Sequence, residues 1–160
     1  MIAVRVLGHS DAGKTTLIER LVPALAGRGR VATIKSIHHP VELDEEGKDT
    51  HRHRTAGAER VIGITPTLTA SFETRGKDDY EKESDALADL LSDLREDGYG
   101  YVLVEGFATA TSLPAIVVGE REDGAENQAG ILAHVEDARS TDVEELTARI
   151  DDLNAWSEGP

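Results

Sequence analysis

Gly8-His9-Ser10-Asp11-Ala12-Gly13-Lys14-Thr15 is the stretch of this sequence whose residue types and spacing most directly specify chemistry. It fits G-x-x-x-x-G-K-S/T at every fixed position. The glycines let the backbone wrap closely around oxygen atoms with no Cβ in the way. Amides from Gly8 through Ser10, Asp11, Ala12 and Gly13 then point inward. The following helix begins with its positive dipole end at the bound anion. Lys14 supplies a mobile charge for the β- and γ-phosphates, Thr15 offers a hydroxyl to Mg²⁺, and Thr16 is placed to donate to an inner phosphate. The expected ligand is a nucleoside triphosphate.

A phosphate loop of this kind works with a carboxylate at the end of a nearby strand, which holds the hydrated Mg²⁺. Glu105 follows Tyr101-Val102-Leu103-Val104 in that position, and Gly106 permits a sharp exit. Thr15 and Glu105 are therefore the expected metal residues, with Asp44 and Asp49 as competing or additional carboxylates. His38, His39, His51 and His53 raise a transition-metal alternative. Their spacing argues against it. Adjacent histidines diverge, histidines two apart splay on a helix, and no cysteine supports them. Lys48, Arg52 and Arg54 in the same stretch suit phosphate contact or a solvated face.

The elements that must position these groups follow from the apolar pattern. Ile2 to Leu7 reads as a buried strand, and Thr16 to Ala26 as a helix with Leu17, Leu21 and Leu25 inward. Pro23 should cost that helix a hydrogen bond and bend its axis. Val31 to Ile34 is a second strand, and His38 to Gly47 a long irregular connector. A short helix is expected from Thr50 to Ala58, capped by Asp49 or Thr50. Strand candidates at Val61 to Ile64 and Leu68 to Phe72 flank a Thr65-Pro66 turn, and Thr74 to Asp79 reads as a loop. Leu87, Leu90, Leu91 and Leu94 mark one face of a further helix. Strands follow at Tyr101 to Val104, Ala115 to Val118 and Ile131 to Val135. Thr141-Asp142-Val143-Glu144 reads as a capping box for a last helix with Val143, Leu146, Ile150 and Leu153 inward. Strands alternating with helices predict an α/β fold, a three-layer sandwich of the P-loop NTPase type with a mostly parallel sheet, built as one domain over residues 1–160.

Composition bounds the rest. The 160 residues suffice for one domain with a core, and 39% of them are apolar. No apolar run approaches the roughly 18 residues of a membrane span. The start, with Arg5 leading straight into the glycine loop, does not read as a signal peptide. Cysteine is absent, so disulfides and thiolate metal sites are excluded, and a cytoplasmic protein is expected. Acidic residues number 31 against 17 basic ones, a formal net charge of −14. The carboxylates are spread along the chain rather than blocked into an acidic tail. Such a surface suits concentrated salt, where the Debye length at about 1 M is only about 3 Å. It also argues against broad nucleic-acid binding, which needs a basic face.

Beyond the glycine loop, several segments together resemble the molybdopterin-guanine dinucleotide biosynthesis protein B family. They are Val31-Ala32-Thr33-Ile34-Lys35, the His38-His39 pair, Asp44 leading to Gly47-Lys48-Asp49-Thr50, and Arg52 to Ala58 ending in Thr55-Ala56-Gly57-Ala58. Leu103-Val104-Glu105-Gly106-Phe107 and the Pro23 of the first helix complete the set, over roughly residues 1 to 118. The resemblance implies a GTP-binding accessory protein, usually a homodimer, with weak GTPase activity. It would assist a separate molybdopterin guanylyltransferase in attaching GMP to molybdopterin. Carried over by position, Ser10 to Thr16 bind phosphate, Thr15 and Glu105 serve Mg²⁺, and Asp49 joins Lys14 and Glu105 in the active site. Two positions depart from the family: Ser36 stands where histidine is frequent and Ala108 where lysine is common. Both remove phosphate or pterin contacts. No Asn-Lys-x-Asp guanine-reading motif is present, so the guanine preference is implied by the resemblance alone.

Other functions share the glycine loop. A small-molecule kinase would need an arginine-rich lid, for which His51 to Arg54 is the basic candidate. A nucleotide-gated metal-delivery protein would use the histidines as a cargo site. A non-hydrolysing interaction module would bind GTP and GDP alike.

Overall fold

The computed structural model describes residues 1–119 and 130–157. Its contacts group the chain into two compact units, one of Met1–Ser36 with the segment from Glu83 onward, the other of Ile37–Lys82.

The first unit is built on five parallel strands in the order β2-β5-β1-β6-β7. They are β1 (Ile2–Leu7), β2 (Val31–Lys35), β5 (Tyr101–Glu105), β6 (Ala115–Val118) and β7 (Ile131–Val135). Side chains alternate across a strand, and both faces here are apolar. Val4, Val6 and Leu103 point to one face, where Leu17, Leu21 and Leu25 of α1 (Lys14–Ala26) meet Leu146 and Ile150 of α4 (Val143–Asp151). Ala3, Val102 and Val104 point to the other, against Leu87 and Leu91 of α3 (Glu83–Glu96) and Phe107, Ala110 and Leu113. Helices therefore cover both faces of a central sheet, the three-layer arrangement expected from the sequence.

One helix face and two helix starts differ from the sequence reading. Leu90 is 45% exposed: Leu87 and Leu91, one turn apart, define the buried stripe of α3, and Leu90 lies beside it. The cap of α4 is Asp142 rather than Thr141, since the Asp142 carboxylate accepts from the amides of Glu144 and Glu145 at 3.0 and 3.1 Å. α1 runs through Pro23 to Ala26 as the sequence reading has it, its three core leucines fully buried, but it begins at Lys14, directly after Gly13, rather than at Thr16.

The second unit holds α2 (Asp49–Thr55) and a two-stranded antiparallel sheet of β3 (Arg60–Ile64) and β4 (Thr69–Glu73). α2 stops earlier than its composition suggests, because Ala56 is its C-cap and Gly57 turns to φ +108°. β3 and β4 pair with each other in register from Arg60↔Glu73 to Ile64↔Thr69, forming a separate hairpin outside the parallel sheet. The Thr65 hydroxyl closes the turn by accepting the Leu68 amide at 2.9 Å. A short 3-10 turn at Lys77–Asp79 interrupts the expected loop.

Candidate functional site: the glycine loop and its carboxylate

The candidate site is the turn from β1 into α1. Gly8 cannot be replaced without collision, since a Cβ there would stand 2.3 Å from the Val118 carbonyl oxygen. Asp11 adopts φ +61°, the left-handed region that aspartate tolerates better than most side chains. Gly13 is the N-cap of α1, at φ +97°, and contributes no side-chain hydrogen bond. The first turn of α1 also contains no acidic residue. α4 shows the contrast: it is capped by Asp142 and has Glu144 and Glu145 in its first turn. The initial amides of α1 thus lack the side-chain oxygen that Asp142 provides to α4, which leaves them suited to an anionic acceptor.

The Lys14 ammonium folds back onto the loop, donating to the carbonyls of His9 at 2.7 Å and Gly8 at 3.0 Å. A lysine is a compact charge on a flexible stem, so this position is exchangeable for a phosphate oxygen. The Thr15 hydroxyl donates to Glu105 Oε2 at 3.4 Å, and Lys35 Nζ lies 3.1 Å from Glu105 Oε1. β5 places Glu105 there through its parallel pairing with β1 and β2, in which Val6 and Lys35 are its register partners. The chain then leaves sharply: Gly106 takes φ +93° and donates its amide to Val6 O at 3.2 Å. A hydroxyl and a carboxylate are hard oxygen donors of the kind Mg²⁺ takes, so Thr15 and Glu105 fit that ion.

Lys14, Thr15 and Glu105 are thus brought together at the carboxyl ends of β1 and β5, where ligands of open parallel sheets bind. Asp49 opens α2 in the second unit, is exposed, and lies 3.6 Å from Arg52. Asp44 accepts from the Thr50 hydroxyl at 3.0 Å and from the Glu45 amide at 2.8 Å, so it is engaged in starting α2. Of the histidines, His51 lies 3.5 Å from Glu42 and accepts the Gly47 amide at 3.3 Å, and His38 is 3.4 Å from Lys77 Nζ. Among the described residues no three His, Cys, Asp or Glu side chains converge as a metal set.

Three groups escaped the sequence reading. Lys35 neutralises Glu105 from the neighbouring strand, and its signal was a lysine closing an apolar run. Arg5 is 4% exposed and donates to the carbonyls of Leu113 at 2.8 and 3.1 Å and Ala108 at 2.9 Å, pinning the segment that follows Glu105. An arginine inside a buried strand was visible, but its partners more than 100 residues away were not. Arg20 of α1 donates to the carbonyls of Ala138 and Thr141, tying the segment after β7 to the glycine-loop helix.

Comparison with known proteins agrees with this geometry. Residues 3–137 match the family model described as MobB, molybdopterin guanine dinucleotide synthesis protein B. A molybdopterin-guanine dinucleotide biosynthesis adapter protein of Haemophilus influenzae is 48% identical over 119 residues, 73% of this chain and 62% of that protein. A putative one from Methanocaldococcus jannaschii is 30% identical over 156 residues, 96% of this chain and 59% of that protein. The chain therefore spans about three fifths of the length of these relatives. The crystal structure of Bacillus subtilis MobB superposes with a TM-score of 0.65 over 93% of this chain and 98% of that one, at 21% identity, a likeness of fold. A crystal structure of molybdopterin-guanine biosynthesis protein B gives 0.64 at 26% identity, over 93% of this chain and 96% of that one. With an uncapped phosphate loop, a strand-end carboxylate and a family match over most of its length, this chain belongs to the molybdopterin guanine dinucleotide synthesis protein B family.

Proposed function

We propose that this chain binds GTP with Mg²⁺ in the glycine loop and serves as an accessory to a separate molybdopterin guanylyltransferase, assisting attachment of GMP to molybdopterin. The observation that carries the proposal is the start of α1. In a chain of net charge −14, it is, among the described α-helices, the start with neither a capping side chain nor an acidic residue in its first turn. Lys14 exchanges its two carbonyl acceptors for the β- and γ-phosphates. Amides of Gly8 to Thr16 (Ser10, Asp11, Ala12 and Gly13 between them) hold the phosphate chain. Thr15 and Glu105 would hold Mg²⁺, which when bound offsets the charge of the terminal phosphates. Lys35 pairs with Glu105 Oε1 and leaves Oε2 to the Thr15 hydroxyl. Asp49 is a further active-site carboxylate on the strength of the family resemblance.

Hydrolysis is expected to be slow, since the glycine loop and Glu105 are accompanied by no glutamine or arginine finger in the described first unit that would orient water. The adapter names of the relatives support a role beside biosynthetic enzymes. A homodimer accords with the exposed apolar side chains Ile62, Ile64 and Leu68 of the hairpin unit, 53%, 78% and 65% accessible. No helix among the described residues is long and apolar enough to cross a membrane. A cytoplasm rich in salt is the proposed location, supported by the net charge of −14.

The test is equilibrium titration with GTP and ATP, with and without Mg²⁺, in molar KCl. GTP should bind more tightly than ATP, and Lys14→Ala should weaken it about 100-fold or more while the fold is retained. Lys14→Ala protein that holds GTP as tightly as the parent would end the proposal. An adenine preference with phosphoryl transfer to a small acceptor would instead make the chain a kinase.

A further inference from the structure

The five strands are parallel, so the carboxyl ends of β5, β6 and β7 lie on the same edge as the glycine loop. β5 flanks β1 on one side, while β6 and then β7 lie on the other. Glu105 and Lys35, which attend Thr15, are on the β5 side. A triphosphate whose terminal phosphate faces Glu105 therefore runs back across the loop, and its nucleoside falls over the ends of β6 and β7.

What stands there is the turn Glu136–Thr141, and it is pressed against the cradle. Ala138 is buried, and its Cβ lies 3.1 Å from the position a Cβ at Gly13 would take. Arg20 holds the turn by donating to the carbonyls of Ala138 and Thr141. Within the turn, the Asp137 carboxylate is exposed and fixed. Its Oδ1 accepts the Arg139 amide at 2.9 Å, its Oδ2 the Ser140 hydroxyl at 3.0 Å, and its carbonyl the Thr141 amide at 3.1 Å. A carboxylate offers about four acceptor positions, so each oxygen retains one.

We infer that Asp137 reads the nucleobase, accepting the N1–H and the 2-amino group of guanine with the two acceptor positions its turn leaves open. Adenine presents a lone pair at N1, so the same carboxylate repels it. The Arg139 amide, and after it the Ser140 hydroxyl, hold the Asp137 carboxyl below the usual carboxylate range, so it is an acceptor at neutral pH. Guanine selection is thereby assigned to a residue in a chain with no Asn-Lys-x-Asp motif. The assignment rests on the proposed nucleotide site and extends it.

The test uses the full-length protein in molar KCl with GTP, ITP, XTP and ATP. For the unaltered chain, ITP, which lacks the 2-amino group, should bind at least tenfold more weakly than GTP, and XTP more weakly still. Asp137→Asn keeps one acceptor for N1–H and adds an amide donor suited to the 2-oxo group of xanthine. GTP should then weaken about 10- to 100-fold while XTP tightens, inverting the guanine-to-xanthine preference. A turn cap with no other role would lower GTP and XTP by the same factor, which would overturn the assignment. Equal affinity of the unaltered protein for GTP and ITP would overturn it too, with no variant needed. Failure of the underlying site reads differently: no triphosphate binds, or Lys14→Ala leaves binding intact. GTP and ATP binding alike, with Lys14 still required, would remove Asp137 alone.

Discussion

Arg5 sits in the central strand, 4% exposed, and burial lowers the pKa of its guanidinium from the ordinary value by desolvation. Its hydrogen bonds run to the carbonyls of Leu113, Ala108 and Phe107, so one side chain fixes both ends of the segment between β5 and β6. Phe107 itself takes φ +53°, an uncommon conformation that the surrounding contacts must hold. Arg5→Ala leaves buried carbonyls without donors and should cost about 2–4 kcal/mol in urea unfolding. Arg5→Met restores much of the volume and none of the donors, so most of the loss should remain. Full recovery by methionine would show that bulk, rather than hydrogen bonding, is what the position needs. At this scale Lys14 and Thr15 were legible because their motif is local. Arg5 was not, because its acceptors become neighbours only after the sheet closes.

Among the elements, α4 shows how a single cap decides where a helix begins. Asp142 satisfies two of the four free amides, and Glu144 and Glu145 add favourable charge at the positive end. Asp142→Ala should lower unfolding stability by about 1 kcal/mol, measured by denaturant midpoint, without altering nucleotide affinity. An unchanged midpoint would mean that packing of Leu146 and Ile150 alone sets the helix. Strands Ile2–Leu7, Ala115–Val118 and Ile131–Val135 match their sequence-based bounds residue for residue. Each is a largely apolar run; β1 and β6 are buried on both faces, and β7 is buried at Ala133 and Val135 on one. Pairing was not legible in the same way. Val61 to Ile64 and Leu68 to Phe72 alternate like any strand, and alternation does not say whether a strand joins the parallel sheet or folds onto its neighbour. The helix expected to reach Ala58 overran because alanine and threonine read as helical until Gly57 turns the backbone.

For the whole molecule, 31 acidic and 17 basic residues mean that folding concentrates like charge. Salt shortens the reach of that repulsion from about 10 Å at 0.1 M to about 3 Å at 1 M. The thermal midpoint should therefore rise by several degrees between 0.1 and 2 M KCl, and NaCl should act similarly over the range where screening dominates. A midpoint insensitive to both salts would show that the surface charges are already compensated locally. The proposed phosphate cradle would share this dependence, since an anionic ligand approaches an anionic protein. One bond bears on how such a molecule is assembled. The Ser36 hydroxyl donates to Glu83 Oε1 at 2.7 Å, where the backbone departs for Ile37–Lys82 and where it returns. None of the five parallel strands draws a pairing partner from that excursion. The two stumps already meet, so the excursion is a cassette with its splice junction built in, which a lineage can lengthen, trim or exchange while the five-stranded chassis keeps every rung of its ladder.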